Sequence, residues 1–384
     1  MRPKIYDVVV VGAGVFGAWT ALHLARRRKS VMLVDAHEPG HLHSSSGDES
    51  RIIRMAYGAD EIYTRSAQRS LVQWKELFLV AHREELFQKT GVLWLGDAGS
   101  AQMASSVQIL RRCGVPFEEL DRGELLARYP QMNLDGITSG IYEPQSGVLM
   151  ARRAVGVVVA EAIRHRAEFK LAEIAQPEGV DGIDFIETRS GERFVAKQFV
   201  FATGAWLAKL FPEYLGDKVF PTRQPVFYIG VPDSDERFSA PELQTWLIKN
   251  DECYGMPALG GRGLKIALDR HGEAIDPDTQ SRVVTQEEVE AIRRLLAYRF
   301  PALASAPIVE TRVCQYENTS SGDFLIDRHP TLSNVWFAGG GSGHGFKHGP
   351  VVGEYVAAQI LEGAKPEPRF LLKKKETVQR RAVY

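Results

Sequence analysis

The chain has 384 residues, 44% apolar and 25% charged, a globular balance spread over too great a length for one ordinary core, so two joined domains are expected. Its 47 lysines and arginines nearly cancel 48 aspartates and glutamates, which leaves no global field to favour nucleic acid or an anionic membrane. Three scattered cysteines, Cys113, Cys253 and Cys314, form no CxxC pair and argue against a zinc site and a disulfide framework.

The opening Met1-Arg2-Pro3-Lys4 leads straight into an apolar strand, leaving no room for a signal peptide. No apolar run approaches the ~20 residues of a membrane helix. The ending Arg381-Ala382-Val383-Tyr384 is not a peroxisomal address. The expectation is a cytoplasmic protein with no membrane, nucleic-acid or metal partner.

In chain order, 6–11 reads as a strand, 18–27 as a helix and 31–35 as a strand. Over 59–80 apolar residues, including Ile62, Leu71, Trp74 and Leu77, recur at helical spacing. Residues 91–96 read as a buried strand bounded by glycines, 151–165 as a helix and 169–174 as a strand. A second buried strand, 198–202, ends at Thr203-Gly204. The stretch 221–268 is mostly strand-like, with a hairpin-like turn at Gly260-Gly261, and 286–298 is an amphipathic helix. A strand at 334–338, a glycine-rich turn and a helix at 351–361 follow. Rossmann-like elements at both ends and in the middle imply an α/β nucleotide domain that is discontinuous, built from 1–90, 150–215 and 320–384. An α+β substrate domain with a large mixed or antiparallel sheet, 91–149 and 216–319, is inserted into it.

Gly12-Ala13-Gly14-Val15-Phe16-Gly17 directly follows Val8-Val9-Val10-Val11. Gly12 permits the sharp turn, Gly14 lets backbone approach a pyrophosphate, and Gly17 lets the helix pack on the strand. The helix start offers N–H groups to phosphate. Asp35, 18 residues after Gly17, is placed to accept from ribose hydroxyls and to repel the extra phosphate of NADP. An NAD enzyme needs little more than this fingerprint, whereas FAD must be enclosed by several distant segments. Three small-residue turns are available for that: 44–47, 202–204 and 339–347. Together they favour FAD.

The chain resembles the monomeric sarcosine oxidase and N-methyltryptophan oxidase family, within the D-amino-acid-oxidase-like flavoproteins. The matching words are Arg51-Ile52-Ile53-Arg54, Gly147-Val148-Leu149, Gly204-Ala205-Trp206, Tyr254-Gly255, Gly263-Leu264-Lys265, Asp276-Pro277-Asp278-Thr279, Cys314-Gln315-Tyr316 and Ser342-Gly343-His344-Gly345-Phe346-Lys347. They cover most of the chain in order. The resemblance implies FAD, oxygen as electron acceptor, a secondary or tertiary amino acid as substrate, and a monomer. It also implies a cofactor surface of Gly12, Gly14, Val15, Phe16, Gly17, Asp35, Ala36, Ser45, Ser46, Arg51, Ile52, Ile174, Ala202, Thr203, Gly204, Trp206, Cys314, Gly341, Gly343, His344, Gly345, Phe346 and Lys347.

Cys314 resembles the family's flavin-tethering cysteine, which must react as a thiolate; taken alone it is equally a buried apolar residue. Arg51 and Arg54 share a face if helical and diverge in a strand. The resemblance sets Arg51 by the flavin ring and Arg54 on the substrate carboxylate, where a guanidinium fork suits the anion. Lys347 resembles the second carboxylate anchor, and Tyr254 and Tyr316 resemble the aromatic cavity wall. Lys265 resembles the lysine that activates oxygen. A cation about 4 Å from superoxide, at an effective dielectric near 20, is worth about 4 kcal/mol, or roughly three powers of ten in rate. Alternation between Leu264 and Ile266 fits solvent or a cavity for this lysine.

Two departures stand out. Asp269 occupies the position where sarcosine oxidase has a histidine, four residues after Lys265 and so on its face in a strand. An acid there rejects a second carboxylate and accepts a cation or hydroxyls, or only pairs with Lys265 or Arg270; the resemblance extends to the fructosyl-amino-acid oxidases, which also carry an acid here. Ser46 stands in place of a flavin-side histidine, with one extra residue before Arg51. The expected function is an FAD-dependent oxidase of N-methyl or cyclic amino acids. The alternatives are a deglycating fructosyl-amino-acid oxidase, an FAD dehydrogenase of 2-hydroxy acids or amines with another acceptor, and a flavin-bearing binding protein.

Overall fold

The computed structural model describes residues 4–232 and 234–378. The segments 1–3 and 381–384, read above for a leader and an address, lie outside the described residues. Among the described residues no helix is long and apolar enough to cross a membrane.

Strand Ile5–Val11 is apolar on both faces, as a strand covered on both sides must be. Val8 and Val10 enter one core and Val9 and Val11 another. It pairs in parallel with Val31–Asp35 on one side and Arg193–Phe201 on the other. Glu168–Leu171 and Val335–Gly339 extend the two flanks in parallel. Leu325–Arg328 and Phe185–Glu187 add antiparallel pairs at Val335–Gly339 and Arg193–Phe201. Helices Val15–Arg26, Ala151–Arg164 and Gly349–Glu362 bury their apolar faces together on the Val8 side. The strand expected at 169–174 stops at Leu171, because its partner strand stops at Asp35; Ile174 then makes only an isolated bridge to Thr188.

The second sheet has eight strands, in the order Ile308–Thr319, Val219–Ile229, Leu264–Leu268, Cys253–Met256, Thr245–Ile248, Val92–Gly96, Ser139–Glu143, Glu118–Asp121. Only the pair Thr245–Ile248 with Val92–Gly96 is parallel. The turn at 260–261 joins two antiparallel neighbours, as the hairpin reading expects. Helix Gln286–Arg299, closed at its start by a Thr285/Glu288 capping box, covers one face. Its Ile292 and Leu296 share a core with Phe227, Ile229, Leu264 and Ile266. Strand period two therefore sends Val226, Tyr228, Lys265 and Ala267 to the opposite face, where Val226, Tyr228, Ala267 and Cys314 cluster. That settles Lys265 as buried in the interior, with 2% of its surface exposed.

A small sheet of Arg51–Ile53, Gly147–Leu149 and Phe87–Gln88 carries the two arginines to the same place.

Candidate flavin and substrate site

The turn after Ile5–Val11 is forced by contact. Gly12 has φ +102°, and a Cβ there would lie 2.4 Å from the Ala202 carbonyl oxygen. A Cβ on Gly17 would lie 1.8 Å from the Gly12 oxygen, whereas one on Gly14 would meet only Ser46 Oγ at 3.6 Å. Gly12 and Gly17 are thus fixed by the protein's own packing, and Gly14 faces space. Ser46 Oγ accepts from the Val15 N–H at 3.1 Å. Asp35 Oδ2 accepts from the Ala13 N–H at 2.5 Å and Oδ1 from the His37 N–H at 2.9 Å.

From this turn a cavity of about 590 Å³ runs past Asp35 and Ala36, Ser45 and Ser46, Ile174, Ala202, Thr203, Gly204 and Trp206 to Gly341, Gly343, Gly345 and Phe346. Its volume is that of a cofactor site. Four of its lining atoms, Ser45 Oγ, Thr203 Oγ1, Gln315 Nε2 and Glu317 Oε1, are buried with no hydrogen-bond partner among the described residues. Each such orphan costs about 1–3 kcal/mol, so their collection along one cavity marks a surface completed by a polar ligand. A diphosphate and a polyol chain present the matching oxygens and hydroxyls. The residues present fit FAD.

A second cavity, about 60 Å³, continues from the first across Arg51, Tyr316, Gly343 and Phe346, which line both. Its wall also includes Ile52, Arg54, Tyr254, Lys265, Asp269, Cys314, His344 and Lys347. Arg54, Lys265 and Lys347 are all buried. The Arg54 guanidinium lies 4.3 Å from the Tyr57 ring centre and 4.5 Å from that of Trp94, contacts that orient a delocalised cation, and its Nη1 donates to the Ala56 carbonyl. Lys347 Nζ donates to Tyr57 Oη and to the His344 carbonyl, both at 2.9 Å. Gly343 has φ +76°, and a Cβ there would lie 2.7 Å from the Tyr316 ring, so the glycine turn seats that ring.

Below this cavity lies a buried cluster around Asp48. Its Oδ2 accepts from Lys265 Nζ and from Arg51 Nη1, the latter at 2.6 Å, and its Oδ1 from Tyr228 Oη at 2.8 Å. Lys265 also donates to the Ser50 carbonyl at 2.9 Å. Burial alone would raise the Asp48 carboxyl, but Lys265 and Arg51 outweigh it and hold it well below the usual carboxylate range. Two cations hydrogen-bond this one anion, and the Arg312 guanidinium stands 3.7 Å from its Oδ1, so the positive charge outweighs that of Asp48. Arg312 makes its shorter contacts with Glu310, at 2.6 Å, and Glu49, at 3.1 Å.

Arg51 Nη2 lies 3.6 Å from Cys314 Sγ. Burial and the Asp48 charge push the Cys314 thiol up, against Arg51 and Lys265, and the balance is upward. Burial raises Asp269 to about 6, although Arg54, Lys249 and Lys347 pull it down. Burial and the neighbouring Arg54 drive Lys347 well below its ordinary value. Burial raises the Tyr254 and Tyr316 phenols.

The structure thus gathers every residue singled out above at one of the two cavities, except Gly17, which serves packing. Lys265 pairs with Asp48, not with Asp269. Asp48 is the residue the sequence reading passed over; an acid three positions before Arg51 was its only local signal. Also unforeseen are three imidazoles near the rim, His37, His41 and His43, each with one ring nitrogen within 4.8 Å of one nitrogen of the other two. The His37 and His41 rings stack at 4.3 Å with their planes 15° apart.

A family model described as FAD dependent oxidoreductase matches residues 7–359. The chain is 34% identical over 372 residues to monomeric sarcosine oxidase of Bacillus sp. (strain B-0618), covering 93% of each. It is 30% identical over 371 residues to N-methyl-L-tryptophan oxidase of Escherichia coli O139:H28, covering 94% of this chain and 96% of that protein. Its fold superposes on L-proline dehydrogenase from P. horikoshii with a TM-score of 0.83 at 22% identity, over 96% and 97% of the two chains. The chain belongs to the FAD dependent oxidoreductase family, in the branch that holds monomeric sarcosine oxidase and N-methyl-L-tryptophan oxidase.

Proposed function

We propose that the chain is an FAD-dependent oxidase of secondary amino acids, N-methyl or cyclic, that yields an imine, then aldehyde plus amine, and hydrogen peroxide. The observation that carries this is the convergence of Arg54, Lys347 and Lys265 on one small cavity continuous with the large cavity of the nucleotide turn. Sarcosine and N-methyltryptophan, named for the relatives, both join a carboxylate to a secondary amine.

FAD, when bound, supplies the two-electron acceptor for the C–N bond and passes the electrons to oxygen. Arg54 and Lys347 hold the substrate carboxylate, and their positive charge lowers the pKa of the amine so that it binds neutral. Tyr254 and Tyr316 wall the amine in and keep water out. Lys265 and Arg51, held by Asp48, present net positive charge where reduced oxygen gains negative charge. Cys314 would hold the cofactor through its sulfur, and Arg51, 3.6 Å from that sulfur, would favour its thiolate form. The protein acts as a cytoplasmic monomer.

Asp269 supports a second reading. A carboxyl in this cavity accepts hydroxyl groups, so a polyhydroxylated amine such as a fructosyl amino acid is the alternative substrate. An anaerobic screen of the purified protein with sarcosine, N-methyl amino acids, cyclic imino acids and fructosyl amino acids tests both. Bleaching of the flavin by one class, followed by peroxide on admitting air, identifies the substrate. A colourless protein with no flavin in its acid extract ends the proposal.

A further inference from the structure

A buried hydrogen-bonded line leads from the small cavity towards the surface, and none of the roles above uses it. Lys347 Nζ lies 2.9 Å from Tyr57 Oη. Tyr57 Oη lies 2.8 Å from His348 Nε2, and His348 Nδ1 lies 2.9 Å from Ser66 Oγ. Lys347, Tyr57 and His348 are buried, whereas Ser66 is partly exposed on helix Glu61–Val80 beside exposed Arg65. Every link is of ordinary hydrogen-bond length. His344 makes a side branch, with Nδ1 at 3.4 Å from Tyr57 Oη, but its Nε2 ends on the Gly322 carbonyl and leads no proton outward.

Lys347 needs such a line. Burial favours its neutral amine, and so do Arg54 and Arg51, while Asp269 and Glu143 oppose them. A carboxylate arriving between Arg54 and Lys347 reverses the balance in favour of the ammonium. A proton must then reach a buried Nζ, whose cavity side is taken by the arriving carboxylate.

We propose that Ser66, His348 and Tyr57 form a proton line that charges Lys347 when a carboxylate enters the small cavity. The proposal rests on the reading of Lys347 as a carboxylate anchor. The transfer balances without any ionic intermediate surviving. In the uncharged state the Tyr57 hydroxyl donates to the amine lone pair across the same 2.9 Å contact. A solvent proton enters through Ser66 onto His348 Nδ1, the Nε2 proton passes to Tyr57 Oη, and the Tyr57 hydroxyl proton passes to Lys347 Nζ, which then donates back to Tyr57 Oη. Ser66, His348 and Tyr57 end neutral, the imidazole having exchanged one N–H for the other, and product release runs the line backwards and resets it. Burial, with Lys347, His344 and Arg54 around it, disfavours a charged imidazole, so His348 passes protons and does not store them.

The test uses the flavin-loaded enzyme and methoxyacetate, a carboxylate with no titratable nitrogen. Titration calorimetry in buffers of different ionisation enthalpy counts protons taken up on binding. Stopped-flow mixing with a pH indicator gives the rate of uptake. Wild type is expected to take up close to one proton, and His348→Phe to take up the same number about a hundredfold more slowly. Ser66→Ala, a milder change at the outer end, slows uptake as well and decides the matter if His348→Phe does not fold. A merely structural histidine would alter affinity or stability and leave the uptake rate alone. Binding without proton uptake in wild type, or uptake equally fast in the variants, overturns the proton line. Failure of methoxyacetate to perturb the flavin spectrum overturns the carboxylate reading itself, and the line with it.

Discussion

Lys265 Nζ and Arg51 Nη1 donate to the same oxygen of Asp48, a carboxylate with 1% of its surface exposed. The three groups come from two sheets and a loop, and their charges sum to plus one. The positive charge that the proposed oxygen chemistry needs is thus present with part of its desolvation cost offset by the Asp48 carboxylate.

Asp48→Asn leaves two buried cations short of a partner. Breaking a buried pair of this kind costs about 3–5 kcal/mol, so a marked fall in thermal-unfolding temperature is expected. The sign of the pH effect follows from the depressed Asp48 carboxyl. Its stabilisation is complete above the unfolded carboxylate value, about 4, and is lost as pH falls towards the folded one. Unfolding scans in acid should show a steeper loss for wild type than for Asp48→Asn.

Lys265→Met removes one of the two cations and leaves Arg51 to balance Asp48. Oxygen reactivity of the reduced enzyme should fall by about three powers of ten, while anaerobic reduction by substrate stays within a few fold. Separate stopped-flow measurements of the two half-reactions check this. Equal loss in both would place Lys265 in substrate handling.

Arg54→Ala removes a charge-assisted contact worth about 1.5–3 kcal/mol, so kcat/KM for a carboxylate substrate should fall by about ten- to a hundredfold. The loss should appear mainly in KM. Steady-state peroxide assays across substrate concentration measure the split.

Asp269 is neutral below about 6 and charged above. Affinity for a carboxylate inhibitor should therefore weaken as pH rises through that value, because the second anion shares the cavity. Asp269→Asn should flatten the profile and improve use of sarcosine over a fructosyl amine. An unchanged pH profile in this variant would remove Asp269 from substrate selection.

Cys314→Ser tests the tether. Wild-type protein on a denaturing gel should fluoresce under ultraviolet light, and the variant should not. Retention of fluorescence by the variant would mean attachment elsewhere.

The nucleotide turn was legible because its glycines obey local geometry: Gly12 and Gly17 are set by contacts within a few residues of the strand end and by Ala202. The strand run Val8-Val9-Val10-Val11 and the helix over Glu61–Val80 were legible for the same reason, a period that each segment carries by itself. Lys265 was ambiguous because alternation names two faces without saying what covers either; helix Gln286–Arg299, far along the chain, takes one face and so leaves the other to the cavity. Asp48 was illegible. Its partners Lys265 and Tyr228 lie 217 and 180 residues away, and no local pattern reports a pairing made between sheets. The same holds for His348, whose contacts with Tyr57 and Ser66 depend on how the last helix meets the Glu61–Val80 helix.

The most direct measurement compares an N-methyl amino acid that reduces the enzyme with its carboxamide, in wild type and in Arg54→Ala, by anaerobic loss of the flavin's visible band. Fast bleaching by the acid, slow bleaching by the amide, and a gap that shrinks in the variant are expected from cations that fix the carboxylate beside the electron acceptor. Equal bleaching by acid and amide in wild type would contradict it.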